Sequence, residues 1–92
     1  MDFEYDQAKS IANKRKHGID FEDAQALWDD GDAIEITAST TIEPRFVVTG
    51  TIDDRHWTAV VTYRNDNIRL ISVRHSRGKE IEVYEKNKSL HV

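Results

Sequence analysis

Ninety-two residues are enough for one domain with a modest core, and we assign residues 1–92 to a single domain with a loose tail at 87–92. The chain has no cysteine, no membrane-length apolar run and no secretory signal, which excludes disulfides and favours a cytoplasmic protein that does not contact a membrane. Its net charge of −4 excludes binding of nucleic acid through the overall field, so such binding would need a local basic patch.

A short strand and a helix are predicted at the start of the chain. Phe3 and Tyr5 alternate with acidic residues, which indicates a strand. Asp6 can cap a helix that runs to about His17, and Gly18 is the expected left-handed residue just past its end. The apolar side of this helix is expected to face the core: Ala8, Ile11 and Ala12.

A second helix is predicted directly afterwards. Asp20 can cap it, and residues 29–32 form an acidic turn that ends it. Its apolar side consists of Phe21, Ala24, Leu27 and Trp28. Because Gly18 makes the connection tight, the two helices are expected to form a hairpin.

The rest of the chain changes to a β-pattern. The predicted strands are residues 33–37, 45–52, 56–63 and 68–73. The short connections at 53–54 and 65–67 favour antiparallel hairpins. With helices on one side of an antiparallel sheet, this order predicts a two-layer α+β fold. The same turn explains Asp53, Asp54 and His56 better than metal ligation does, so no metal or cofactor is predicted.

The C-terminal quarter holds the basic patch. Residues 68–92 contain six Lys or Arg and three Asp or Glu, whereas the preceding residues are acidic. Arg69, Arg74, His75, Arg77 and Lys79 lie where the last strand turns into a helix, which Ser76 can cap. A helix N-terminus among cations favours an anion site. The alternative is a solvated charged surface without a ligand.

Short segments spread over residues 2–85 carry the pattern of a known family. The first are Phe3-Glu4-Tyr5-Asp6, Lys9, Asn13, Lys16-His17-Gly18-Ile19-Asp20-Phe21 and Ala24. The second half supplies Arg45-Phe46, Gly50, Arg69-Leu70-Ile71-Ser72-Val73-Arg74, Glu80 and Tyr84-Glu85. With these segments in this order, the chain resembles the BrnT toxins. It departs from the family pattern in three places: Tyr5 replaces a usual Trp, Pro44 interrupts a Glu-Arg pair, and Val73 replaces a usual Ala.

This resemblance implies a type II toxin–antitoxin system. The expected fold is RelE-like, and the expected activity is RNA cleavage that arrests translation. The implied partner is a BrnA-like antitoxin of the ribbon-helix-helix type. Operator DNA would be bound only through that antitoxin.

The residue types supply the chemistry of metal-independent RNA cleavage, which needs a base, an acid and cations around the phosphate. The predicted catalytic residues are His17, Arg69, Arg74, Glu80 and Tyr84. Lys9, Lys16, Arg77 and Lys79 are the predicted RNA-phosphate contacts. Strict strand alternation would place Arg69 and Arg74 on opposite faces, so either a bulge intervenes or one of them is structural.

Each assignment has a structural alternative. His17 can serve the helix C-terminus, Glu80 can pair with an arginine, and Tyr84 can pack in the core with a wet hydroxyl. Two other functions also fit the sequence. One is a non-catalytic RNA-binding module in which Trp57 and Tyr63 stack on bases, although their spacing suits a buried face. The other is a partner-binding domain whose basic patch holds an acidic protein segment.

Overall fold

The computed structural model describes residues 2–39 and 43–90. Its helices are α1 (Gln7–His17), a 3₁₀ helix (Asp23–Asp29) and α2 (Gly78–Ser89). Its strands are β1 (Phe3–Glu4), β2 (Ile34–Ser39), β3 (Arg45–Ile52), β4 (Arg55–Arg64) and β5 (Asn67–His75). Helix α2 therefore includes residues 87–89 of the tail that was expected to be loose.

The strands form one sheet in the order β1-β5-β4-β3-β2. Strands β2 to β5 are antiparallel neighbours in chain order, and β1 pairs with β5 in parallel. The prediction of an α+β fold with an antiparallel meander is therefore confirmed, with a parallel strand added at one edge. Among the described residues, no helix is both long and apolar enough to cross a membrane.

Both predicted hairpins are confirmed. Asp53 and Asp54 connect β3 to β4, and Asn65 and Asp66 connect β4 to β5. All four have positive φ angles, between 50° and 67°. Such two-residue turns match the twist of paired strands, and Asn and Asp tolerate this backbone better than most residues.

The second predicted helix is correct in place and wrong in type. It is a 3₁₀ helix rather than an α-helix, and the expected pairing with α1 as a helical hairpin is not confirmed. Ala24 and Leu27 of this helix lie three residues apart, Phe21 lies three residues before Ala24 in the preceding turn, and all three have no exposed surface. Because a 3₁₀ helix has three residues per turn, this spacing points successive apolar side chains into the core.

The prediction for the buried side of α1 is wrong. Ala8 and Ala12 are exposed and Ile11 is 48% exposed, whereas Ser10 and Asn13 are buried. The Ser10 hydroxyl accepts a hydrogen bond from the backbone N–H of Phe21 at 2.9 Å. Helix α1 thus packs through small polar side chains, because they satisfy backbone groups that burial would otherwise leave unpaired.

Helix α2 contacts the other face of the sheet. The register places Thr51 opposite His56 and Thr58 opposite Arg74, so these residues share the face that points away from α1. Tyr84 of α2 packs edge-on against His56. Helices therefore lie on both faces of the sheet, which corrects the predicted two-layer arrangement with all helices on one side.

Candidate active site

A bulge in β5 brings its two arginines to one face of the sheet. Val60 pairs with Ser72 and Val61 pairs with Leu70, so Ile71 is the extra residue. A bulge between Arg69 and Arg74 was one of the two expected explanations for a site that uses both arginines, and it is present. Five residues of strand nevertheless separate the two arginines by about 16 Å.

Arg69 is engaged at the far end of β5. Its guanidinium lies 3.6 Å from the carboxylate of Glu4 in β1, which pairs with it in register. The structure therefore does not bring Arg69 to the end of β5 where Arg74 lies.

Asn13 fixes α1 against the end of β5. Its side-chain amide donates to the carbonyl oxygens of Ile19 and Val73, both at 2.8 Å, and accepts from the Val73 N–H at 3.1 Å. His17 lies four residues beyond Asn13 on the same side of the helix. Four helical residues advance about 6 Å, and the two strand residues from Val73 to His75 advance about 6.6 Å. The two histidines are therefore carried to the same end of the sheet.

His17 lies in a positive field. It is half-buried. Burial and the charges of Lys16, His75 and Arg74 together hold the pKa of His17 below its usual 6.5. The neutral imidazole is therefore favoured, which is the form that accepts a proton.

His75 is exposed and packs on an aromatic ring. Its imidazole stacks on Trp57 with the ring centroids 4.1 Å apart and the planes 23° apart. Trp57 is only 7% exposed, so the buried indole supports one side of the imidazole. His75 was noted in the sequence only as one cation among several. The register of β4 with β5 was the missing information, because it places His75 opposite Trp57.

Arg74 and Glu80 form a bidentate ion pair. Arg74 Nη1 and Nη2 lie 2.8 and 2.9 Å from the two carboxylate oxygens of Glu80, and both side chains are about one-fifth exposed. The Arg74 guanidinium, with a hydrogen bond from the Arg77 N–H, lowers the pKa of Glu80 to about 2. The same pair raises the pKa of Arg74. This contact is the pairing with an arginine that the sequence analysis gave as the structural alternative for Glu80.

A chain of hydroxyl groups supports Glu80. Thr58 donates to a Glu80 oxygen at 3.1 Å, and the Thr58 hydroxyl lies 2.8 Å from those of Thr49 and Ser76. Ser76 therefore does not cap α2 as predicted, because its hydroxyl is used in this network. Instead, the N-cap position is Arg77, and Glu80 accepts from its N–H.

Tyr84 has no exposed surface. Its hydroxyl donates to Asp30 Oδ2 at 2.6 Å, and Asp30 also accepts from the Thr51 N–H at 2.8 Å. Burial and this bond raise the pKa of Tyr84. Burial opposes ionisation of Asp30, but the bonds from Tyr84, Asp32 and Thr51 hold its pKa below the usual value. This geometry joins α2 to the end of the 3₁₀ helix.

The predicted phosphate contacts are all exposed side chains: Lys9, Lys16, Arg77 and Lys79. Lys16 adjoins His17, and Arg77 and Lys79 follow His75. Lys79 also lies 3.7 Å from Glu82. Lys9 lies eight residues before His17, which is about 12 Å along α1. We call the group at the end of β5 the basic junction: Lys16, His17, Arg74, His75, Arg77 and Lys79.

The described residues also form a pocket away from this junction, and they contain no metal-binding group. A pocket of about 230 Å³ lies beside α1, lined by Gln7, Ser10, Ile11, Lys14, Arg15 and Asp20. Across residues 2–39 and 43–90, no three His, Cys, Asp or Glu side chains are grouped closely enough to hold a metal ion. The basic junction thus offers two imidazoles and four cationic side chains, which are residue types that bind phosphate and transfer protons, although Arg74 and His75 alternate between the two faces of the sheet.

The chain matches the family model described as "Ribonuclease toxin, BrnT, of type II toxin-antitoxin system" over residues 5–80. The match includes the basic junction and leaves Tyr84 outside. A comparison with curated proteins gives no match. Because the family model covers most of the 92 residues, the chain belongs to the BrnT family of ribonuclease toxins of type II toxin–antitoxin systems.

Proposed function

We propose that this toxin is a metal-independent endoribonuclease and that the basic junction is its active site. The observation that carries the proposal is the grouping of His17, His75 and Arg74 at the end of β5, where burial and then the charges of Lys16, His75 and Arg74 lower the pKa of His17. The two imidazoles can supply a base and an acid, and Arg74, which alternates to the other face of the sheet, can supply a phosphate ligand at the same end of β5.

In the proposed reaction, neutral His17 accepts the proton of an RNA 2′-hydroxyl. The 2′-oxygen then forms a bond to phosphorus, and the bond from phosphorus to the 5′-oxygen breaks. Protonated His75 donates a proton to the leaving 5′-oxygen. The products are a 2′,3′-cyclic phosphate and a 5′-hydroxyl, and the protein has moved one proton from His75 to the substrate while taking one at His17. After cleavage, His17 releases its proton to water and the exposed His75 takes one up, which returns both histidines to their starting forms.

Arg74 is proposed to stabilise the phosphate as it gains charge. Glu80 orients the guanidinium through two hydrogen bonds, and Nη1 also donates to the His75 carbonyl oxygen at 3.3 Å, which leaves the remaining N–H donors for a phosphate. Glu80 itself is a poor base, because a carboxylate with a pKa of about 2 holds a proton weakly. We therefore assign Glu80 as a positioning residue.

We assign roles to the other predicted site residues on the basis of their contacts. Full burial and the bond to Asp30 favour a structural role for Tyr84. Arg69, paired with Glu4, is proposed to be structural or to contact RNA beyond the cleaved bond. Lys9, Lys16, Arg77 and Lys79 are proposed to bind flanking phosphates, because all four are exposed cations.

The cellular setting follows from the family. The antitoxin is proposed to be BrnA-like with a ribbon-helix-helix fold, and to carry the operator-DNA contacts of the complex. Cleavage of RNA in the cytoplasm would arrest translation. The RelE-like fold that the family resemblance implies is also a prediction. The stacking alternative for a non-catalytic RNA-binding module is disfavoured, because Trp57 is buried and its ring is covered by His75.

The test is cleavage of RNA by the purified chain in excess EDTA, followed by identification of the new ends. We expect cleavage to persist and to give cyclic phosphate and 5′-hydroxyl ends. Activity that chelation abolishes and magnesium restores would overturn the metal-independent reaction, as would 5′-phosphate ends.

A further inference from the structure

One edge of the Arg74 guanidinium is left for a ligand. Glu80 takes one N–H of Nη1 and one of Nη2, and the His75 carbonyl oxygen takes the other N–H of Nη1. A guanidinium carries five N–H donors in a fixed plane, so Nε–H and one Nη2–H have no partner among the described residues. These two donors lie side by side and match two oxygens of one phosphate. The orientation of the Glu80 carboxylate therefore decides where this free edge points.

Three groups among the described residues orient the Glu80 carboxylate. The first is Arg74 itself. The second is the N–H of Arg77 at 2.8 Å, which is the N-cap of the helix that carries Glu80. The third is the hydroxyl of Thr58 in β4, at 3.1 Å. Thr58 is thus the donor that ties the carboxylate to the sheet independently of Arg74.

The direction of each hydrogen bond around Thr58 follows from the charge of Glu80. With a pKa of about 2, Glu80 is ionised at neutral pH and can only accept. Glu80 therefore uses the single hydroxyl hydrogen of Thr58. The hydroxyls of Thr49 and Ser76 lie 2.8 Å from that of Thr58, so both must donate to it. One donated and two accepted bonds fill the capacity of the Thr58 hydroxyl, which leaves it a single arrangement.

The fold holds Thr58 in place. Its side chain has no exposed surface, and a β-branched side chain has few rotamers available. Strand register places it directly opposite Arg74, with both side chains on the face that contacts α2. The hydroxyl and the guanidinium therefore approach the same carboxylate from two neighbouring strands.

We infer that Thr58 is a positioning residue for RNA cleavage, whose hydroxyl holds the Glu80 carboxylate so that the free edge of Arg74 faces the phosphate. The inference rests on the proposed role of Arg74. Because Thr58 has no exposed surface, it does not contact RNA itself. Loss of its hydroxyl should therefore slow the chemical step and change RNA binding little, since a misdirected donor matters most when the phosphate gains charge.

Kinetics of Thr58→Val, which keeps the shape of the side chain and removes the hydroxyl, test the inference. We expect kcat to fall about ten-fold and KM for RNA to change less than about two-fold. Thr58→Ser keeps the hydroxyl and should cleave within about three-fold of the unsubstituted chain. Thr62→Val is the matched control. Thr62 lies on the same strand and face, is 1% exposed and donates to the Pro44 carbonyl oxygen at 2.7 Å, so its loss should lower stability and leave kcat unchanged.

Two further measurements separate positioning from a general effect on the fold. In a Glu80→Gln background, the effect of Thr58→Val on kcat should largely disappear, because the carboxylate that Thr58 orients is already gone. Nitrogen-15 NMR of the Arg74 guanidinium needs no RNA. Exchange between its Nη positions, which the bidentate pair slows, should be faster in Thr58→Val than in Thr62→Val.

Normal kcat in Thr58→Val, in an assay in which Arg74→Lys lowers cleavage, would overturn the inference and leave the proposed active site intact. Normal cleavage in both variants would refute the role of Arg74 and the inference with it. Equal loss of kcat in Thr58→Val and Thr62→Val would assign Thr58 to the stability of the fold alone. An undiminished effect in the Glu80→Gln background, or unchanged exchange of the guanidinium, would overturn the inference in the same way.

Discussion

Asn13 and Val73 are joined by two hydrogen bonds between one side-chain amide and both groups of one backbone residue, at 2.8 and 3.1 Å. They lie 60 residues apart in sequence. Asn13 is only 7% exposed, so water competes little for these bonds. This contact sets the position of α1 on β5 and hence the position of His17 beside the end of the strand.

Removal of the Asn13 amide should destabilise the fold. Asn13→Ala leaves the Val73 N–H and two carbonyl oxygens without their partner, so we expect a loss of about 2–3 kcal/mol in the free energy of unfolding. Urea unfolding measures this. Ala12→Ser, at an exposed site on the same helix, should cost about 0.5 kcal/mol. Equal losses in the two variants would contradict the importance of the contact.

The Arg74–Glu80 pair should make stability depend on acid pH. The folded-state pKa of Glu80 is about 2, below its ordinary 4.5, so folding favours the ionised form. This stabilisation, on the order of 3 kcal/mol, is fully present above about pH 4.5 and is lost as the pH falls toward 2. Urea unfolding at neutral pH and near pH 3 should show it. The loss with acid should be smaller in Glu80→Gln, and an identical pH dependence in that variant would disprove the assignment.

Arg74→Lys should lower cleavage by about ten- to a thousand-fold, since lysine lacks the planar pair of donors. The Arg74 side chain is 20% exposed and bidentate to Glu80, so a loss of about 1 kcal/mol in the free energy of unfolding is expected as well. Cleavage rate and melting temperature on the same preparation separate the two effects. Arg64→Lys, at an exposed cation that pairs with Glu43 outside the junction, is the control and should leave cleavage unchanged. Near-normal cleavage in Arg74→Lys would remove Arg74 from the active site.

The antitoxin should cover the basic junction with an acidic or amphipathic segment, because most of the remaining chain is acidic. Hydrogen exchange on the toxin–antitoxin complex should show protection within residues 69–84. Protection confined to the acidic turn at residues 29–32 would show that the antitoxin inhibits from another surface.

The strands, hairpins and first helix were predictable because their signals are local. Alternation marks the strands, Asp53-Asp54 and Asn65-Asp66 mark the turns, and the Asp6 cap and Gly18 mark the ends of α1. The Asp6 carboxylate indeed accepts from the Ala8 N–H at 2.8 Å, and Gly18 has a φ of 86°.

The buried side of α1 was not predictable from hydropathy. Ser10 and Asn13 are polar, and their burial depends on backbone partners in Phe21, Ile19 and Val73. Only tertiary structure reveals such partners. The same limit applies to the site. His75 becomes a candidate catalytic residue only when the strand register places it on Trp57 and the position of α1 places His17 at the same end of the sheet. The bulge at Ile71 likewise cannot be predicted from the alternation of apolar and polar residues in the sequence.

The pH dependence of cleavage by His17 and His75 variants tests the central claim most directly. His17→Gln and His75→Gln should each lower cleavage by about 10²- to 10⁴-fold while RNA affinity changes little, because each loses a proton-transfer group and keeps the neighbouring cations. His56→Gln is the matched control, since His56 is half-buried and bonded to Glu85 at 3.0 Å outside the junction.

In the unsubstituted chain, the rate should rise with pH through a value below 6.5, because His17 must be neutral to act as base and its pKa is lowered. That limb should disappear in His17→Gln. Normal cleavage in both variants, or an acid limb that persists without His17, would contradict the assignment of the basic junction as the ribonuclease centre.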